Sequence, residues 1–178
     1  MKTKKPTRTE LLLTVMRILA WVAFIGFMLE AGAILVSYGV SCVNPEAAKN
    51  LYEGMDLYTL KQFSFAHYTL YVFLIFVLLI MKSFVWYLVI GTLSKINLAN
   101  PFKMEVAQML EKISYRLFAI WLVAIASSAH TAWLVKITGE HHGDWASGES
   151  IFMAGLVFII SQVFKRGVEI QSENDLTV

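Results

Sequence analysis

Residues 63–96, FSFAHYTLYVFLIFVLLIMKSFVWYLVIGTLSKI, decide the fold. Tyr68–Ile80 contains no charged side chain, and Phe84–Leu93 continues in the same way. The two blocks make a run of about 25 residues. At roughly 1.5 Å per residue, a helix of that length crosses a hydrocarbon core about 30 Å thick. Lys82 interrupts the run near its middle. An ammonium at that depth costs on the order of 3 kcal/mol even on the lenient insertion scales. It therefore requires a polar partner, a wet cavity or a route to one surface.

The rest of the chain repeats the pattern. Of its 178 residues, 57% are hydrophobic, and the mean hydropathy is +0.61. Soluble domains hold about 45–50% apolar residues and spread their charges along the chain. Here the charges cluster between apolar blocks, as in an integral membrane protein. The expected fold is all-α: one polytopic domain over residues 1–178, with four transmembrane helices in a bundle. The spans are expected at about 11–39, 66–94, 115–136 and 150–168. With that topology one side holds Lys2, Lys4, Lys5, Arg8, Arg17, Lys95, Lys103, Lys112, Arg116, Lys165 and Arg166. The other side holds Lys49, Lys61 and Lys136. By the positive-inside rule both termini face the cytoplasm.

Cys42 is the single cysteine and forms no internal disulfide. Gly39-Val40-Ser41-Cys42 lacks the leucine of a lipobox. Leu11–Val40 is about twice as long as the apolar part of a cleavable signal.

Thr7-Arg8-Thr9-Glu10 fits a capping box at the start of the first span. Within that span Ala23, Gly26, Glu30, Ala33 and Ser37 recur at helical spacing. Small residues let backbones approach in lipid, so this stripe is expected to face the neighbouring helices. Asn44-Pro45-Glu46 reads as an N-cap with proline at the first helical position. It predicts a short outer helix to about Tyr52, a break at Gly54 and a second start near Asp56. Leu57, Leu60, Phe63 and Phe65 would lay this segment against the bundle or the membrane surface.

On the inner side, Asn100-Pro101-Phe102 repeats the cap-plus-proline start. Met104, Val106, Met109, Leu110, Ile113 and Leu117 follow with helical period. They describe a short cytoplasmic amphipathic helix or an inward extension of the third span. The middle of that span, Ala124–Ala132, is small or polar, with Ser127, Ser128, His130 and Thr131 among alanines. The fourth span carries Ser161 and Gln162 and reaches a basic stop at Lys165-Arg166.

Two constellations bear on chemistry. Taking each apolar run's midpoint as the bilayer centre, Glu30, Lys82 and His130 lie within about two turns of it. With Ser127 and Gln162 they form a candidate buried polar cluster. It is either a structural Glu30–Lys82 pair or a site responsive to a proton, an ion or a ligand. The second constellation is Glu140-His141-His142-Gly143-Asp144, in which His141 and His142, helped by His67, offer ligands for zinc or copper. Adjacent loop histidines without further fixed ligands favour a solvated polar loop, so no metal and no cofactor is expected. No glycine-rich phosphate loop, His-Glu-x-x-His, Gly-x-Ser-x-Gly or Cys-x-x-Cys is present. The chain therefore reads as a non-enzyme, and it carries no basic patch for direct nucleic-acid binding beyond what topology requires.

Asn100-Pro101-Phe102 followed by Leu110-x-x-Ile113 resembles the turn after the second span in a bacterial membrane family, domain of unknown function 2975. The C-terminal block resembles the same family more specifically. It comprises Phe152-Met153-Ala154-Gly155-Leu156-Val157-Phe158, Phe164-Lys165-Arg166-Gly167-Val168-Glu169 and the ending Glu173-Asn174-Asp175-Leu176-Thr177-Val178. Ala99 departs from the glycine often found before Asn-Pro-Phe. The resemblance implies four helices in the bacterial cytoplasmic (inner) membrane, no agreed activity, and a frequent genetic neighbour that is a small helix-turn-helix regulator. By that analogy the chain is a sensory or regulatory component. Its docking surfaces would be Asn100, Pro101 and Phe102 together with Glu173, Asn174, Asp175 and Leu176. The alternative is a small transporter or channel subunit that uses Glu30, Lys82 and His130 across a homo-oligomer.

Overall fold

The computed structural model of the chain describes residues 7–52, 54–96, 102–139 and 148–175. Its elements are α1 (Arg8–Val43), a 3₁₀ turn (Pro45–Asn50), α2 (Tyr58–Phe63), α3 (Phe65–Lys95), α4 (Met104–Thr138) and α5 (Gly148–Asp175). There is no strand among the described residues. The four long helices are long and apolar enough to cross a membrane, and the expected spans fall within them.

Local chemistry sets the boundaries. Thr7 Oγ1 accepts from the Glu10 amide at 3.3 Å while Glu10 Oε2 accepts from the Thr7 amide at 2.6 Å, a closed capping box. The helix stops where Asn44 turns extended and its amide donates back to the Val40 carbonyl. Asn44 Oδ1 then accepts from the Glu46 amide at 3.2 Å and starts the next turn. Gly54 takes φ +85°, a left-handed value open to glycine at no steric cost. Asp56 Oδ1 accepts from the Tyr58 amide at 2.9 Å at the entry to α2. The first outer piece is thus a six-residue 3₁₀ turn, and the break and second start lie where the sequence placed them. Ala48, Leu51, Leu57 and Leu60 are buried in one core with Ala31, Ile34, Tyr68, Tyr71, Ile75 and Leu134. Phe63 and Phe65 stay exposed. The segment is a packed cap over one end of the helices.

At the other end Lys95 of α3 pairs with Glu105 of α4, and Phe102 meets Gly167 of α5. We call this the basic end. The amphipathic stretch is continuous with α4, so of the two readings the extension of the third span is the one formed.

The packing departs from a closed four-helix bundle. The backbone of α1 packs on α3, α3 on α4, and α4 on α5. No Cα of α1 lies within 8 Å of α4 or α5, and none of α3 within 8 Å of α5. The helices form an open row. Lipid tails are as apolar as leucine, so nothing forces a membrane helix to bury its outer face.

The facing of α1 also needs correcting. Its seam against α3 runs through Ala20, Phe24, Phe27, Ala31, Ile34, Tyr38 and Ser41. The expected stripe Ala23, Gly26, Glu30, Ala33 and Ser37 lies one residue back, about 100° round the helix. It forms a flank, on which Gly26 is exposed and would meet nothing within 4 Å of an added Cβ. The seam is built on size and hydrogen bonds instead of small-on-small contact. Tyr38 Oη lies 2.9 Å from Thr69 Oγ1, and Ser41 Oγ lies 2.6 Å from the fully buried Tyr68 Oη.

Candidate functional site

Contacts fix the register of the row. Between α1 and α3, Ser41 meets Tyr68, Phe27 meets Lys82 and Phe24 meets Tyr87. Between α3 and α4, His67 meets His130, Phe84 meets Arg116 and Lys95 meets Glu105. Lys82 is therefore level with Phe27, and Glu30 lies one turn, about 5 Å, nearer the cap.

His130 is elsewhere. It is level with His67, which precedes Lys82 by fifteen residues along α3, or about 22 Å. The structure does not bring Glu30, Lys82 and His130 into one pocket. The first turns of α4 extend beyond its apolar run at the basic end, so the midpoints of the apolar runs do not share one level.

Around Lys82 the helical spacing is informative. Leu78 and Val85 pack with Ile113, Ile120 and Ala124 of α4. Leu79 belongs to the core cluster that holds Ala31 and Ile34 of α1, and Trp86 packs against the cluster that Ala20 of α1 forms with Ile90 and Leu93. These four are the i±3 and i±4 neighbours of Lys82, so Lys82 projects into the groove between α1 and α4, with α3 as its floor. Its side chain is exposed there, with Nζ 5.9 Å from the Phe27 ring centroid. On α1, Phe24 turns toward Tyr87 and Phe27 toward Lys82. Glu30 continues on the Phe27 flank and is half-buried. Among the described residues neither Glu30 nor Lys82 has a hydrogen bond or an ion pair.

The remaining candidates go to other places. Ser127 is buried, and its Oγ donates to the Val123 carbonyl within α4. Gln162 Nε2 donates to Ser161 Oγ at 3.2 Å and lies 3.5 Å from Glu111 Oε1. Lys165 Nζ donates to the same Glu111 oxygen at 2.7 Å. This half-buried pair joins α4 to α5. Ser114 Oγ adds a second tie at 3.0 Å to the Ala154 carbonyl. In sequence Lys165 belongs to the basic stop of the fourth span and has no named partner, because nothing local says which acid meets which base on another helix.

His67 Nδ1 and His130 Nε2 are 3.3 Å apart, with Trp133 packed against both rings. Among the described residues His130 Nδ1 is buried without a hydrogen-bond partner. Among the described residues no group of three metal-ligating side chains converges, and two imidazoles fall short of the three or four ligands zinc takes. His141 and His142 lie outside the described residues.

At the basic end Phe102 rests on Phe164, with ring centroids 5.4 Å apart. Its ring carbons lie 2.5–3.0 Å from where a Cβ of Gly167 would stand. Glu173 is exposed near the end of α5. Asn100, Pro101 and Leu176, and the side chains of Asn174 and Asp175, lie outside what is described. A cleft of about 790 Å³ opens beside this end, lined by Thr7, Glu10, Arg17, Lys95, Lys103 and Glu105 among others.

Fold and site together define an all-helical membrane protein with four candidate spans and charged groups at mid-depth and at one end. The chain belongs to the family described as protein of unknown function (DUF2975), whose model matches residues 42–178. The match covers the outer cap as well as the blocks that carried the resemblance. Searches of curated proteins and of solved structures return no match.

Proposed function

We propose that the chain is a regulatory component of a bacterial cytoplasmic membrane that communicates with a small soluble helix-turn-helix regulator through its basic end. The excess of basic residues at that end supports, by the positive-inside rule, a cytoplasmic orientation for it. The observation that carries the proposal is the joint between Phe102 and α5. The ring of Phe102 on Gly167 and Phe164, backed by the Glu111–Lys165 pair, ties the start of α4 to the end of α5. Two segments distant in sequence become one surface at the basic end of the spans. Neither catalysis nor a cofactor is assigned to it.

The test is direct binding between the purified chain in lipid nanodiscs and a small helix-turn-helix regulator of the kind the family resemblance implies. We expect a complex that Gly167→Leu weakens at least about tenfold, or about 1.4 kcal/mol, because the added side chain expels Phe102. Leu29→Ala, on the exposed side of α1, should leave binding unchanged. Absence of a complex with the unaltered chain would overturn the proposal.

A further inference from the structure

We propose that a second copy of this chain closes the groove between α1 and α4, with Glu30 of each copy meeting Lys82 of the other. The proposal concerns the middle of the spans and is independent of docking at the basic end.

Three observations carry it. The first is an unmet electrostatic need. Lys82 projects exposed into the groove over one aromatic ring, and half-buried Glu30 borders the same groove. Neither has an oppositely charged partner among the described residues. Lipid cannot satisfy either group at that depth, whereas each would satisfy the other.

The second is depth. Copies of a membrane protein share one orientation, so a two-fold axis between them runs along the membrane normal and leaves depth unchanged. An acid and a base on one face at nearly one depth are then self-complementary. The contact repeats in both directions, as an isologous interface requires. The offset of one helical turn, about 5 Å, is within reach of the flexible lysine stem.

The third is incomplete packing. Among the long helices α1 packs its backbone on α3 alone, and only 6% of its most apolar stretch is buried within the chain. Two α1–α3 pairs laid face to face make the four-helix packing that one open row lacks.

Cys42 provides the readout. It is the only cysteine in the chain and is exposed, so donor and acceptor dyes can be placed there for energy transfer in proteoliposomes at graded protein-to-lipid ratios. The unaltered chain should show concentration-dependent transfer. Glu30→Gln and Lys82→Met should each weaken association at least about tenfold. Both remove a charge from the bilayer, so lost transfer in them does not arise from poorer insertion.

The decisive arm is charge reversal. Glu30→Lys and Lys82→Glu should each fail to self-associate. Mixing the two should restore transfer, because every crossed contact is again acid to base. The double reversal in one chain should also associate. Restoration in the double reversal but not in the mixture would overturn the proposal in favour of a pair within one chain. An unaltered chain that stays monomeric at all ratios would overturn it in favour of lipid filling the groove. Neutral variants that associate as the parent does would overturn it as well.

Discussion

Replacing Gly167 by alanine should destabilise this protein, although in most helix interiors that change stabilises by about 1 kcal/mol. The added methyl carbon would lie 2.5 Å from Phe102 Cδ1, 2.8 Å from Cε1 and 3.0 Å from Cγ, where carbon atoms normally sit about 3.5–4 Å apart. Backbone holds one side of this contact, so the ring has to leave. It then loses its pairing with Phe164, worth about 0.5–1.5 kcal/mol. It also loses its burial. Phe102 is 40% exposed, so roughly three fifths of a full phenylalanine burial is forfeited, about 1–2 kcal/mol. Against the gain in helix propensity, the net cost is about 0.5–2.5 kcal/mol. In a Phe102→Ala background the clash is gone, and the same substitution should stabilise by about 1 kcal/mol. A double-mutant cycle, read by unfolding in mixed micelles, should therefore show Gly167→Ala changing sign with the residue at 102. Equal stabilisation in both backgrounds would refute the contact and, with it, the rigid joint between α4 and α5.

Leu60→Ala, at a fully buried position beneath the outer cap, should cost about 2–5 kcal/mol. The amides of Leu51 and Leu57 should lose hydrogen-exchange protection first. Ser114→Ala removes the interhelical donor to the Ala154 carbonyl and should lower stability by about 1 kcal/mol. Ser94→Ala, at an exposed helix end, should stay within about 0.5 kcal/mol in the same unfolding assay. Thr7→Ala opens the capping box and should cost about 1 kcal/mol, confined to faster exchange in the first turn of α1. If the groove instead serves an ion or solute pathway, liposomes holding the chain should show flux that Lys82→Met abolishes. Tight liposomes with the unaltered chain would dismiss the transport alternative.

Much of the local structure could be read from residue order because its causes are local. A capping box spans four residues. The Asn44-Pro45 and Asp56 starts and the bend at Gly54 need no distant partner. A continuous apolar run is its own evidence for a span. The candidate site was less legible. Glu30 and Lys82 do border one groove, but His130 was placed beside them by aligning the centres of separate apolar runs. Its partner is His67, at the capped end. Gln162 and Ser127 look like interior polar groups in sequence. In the fold one serves the α4–α5 joint and the other a carbonyl of its own helix.

The sequence by itself determined that this is an all-helical membrane protein, where its first span and outer segment start, and that an acid and a base lie deep in its spans. Only the tertiary structure decided that the helices stand in an open row, that α1 presents the Phe27–Ile34 face to α3, and that Phe102 closes on Gly167. The reason is physical. Hydropathy and end caps act within a few residues, whereas register and facing depend on which side chains meet across helices. In a helix that is apolar on every side, residue order holds little record of that choice.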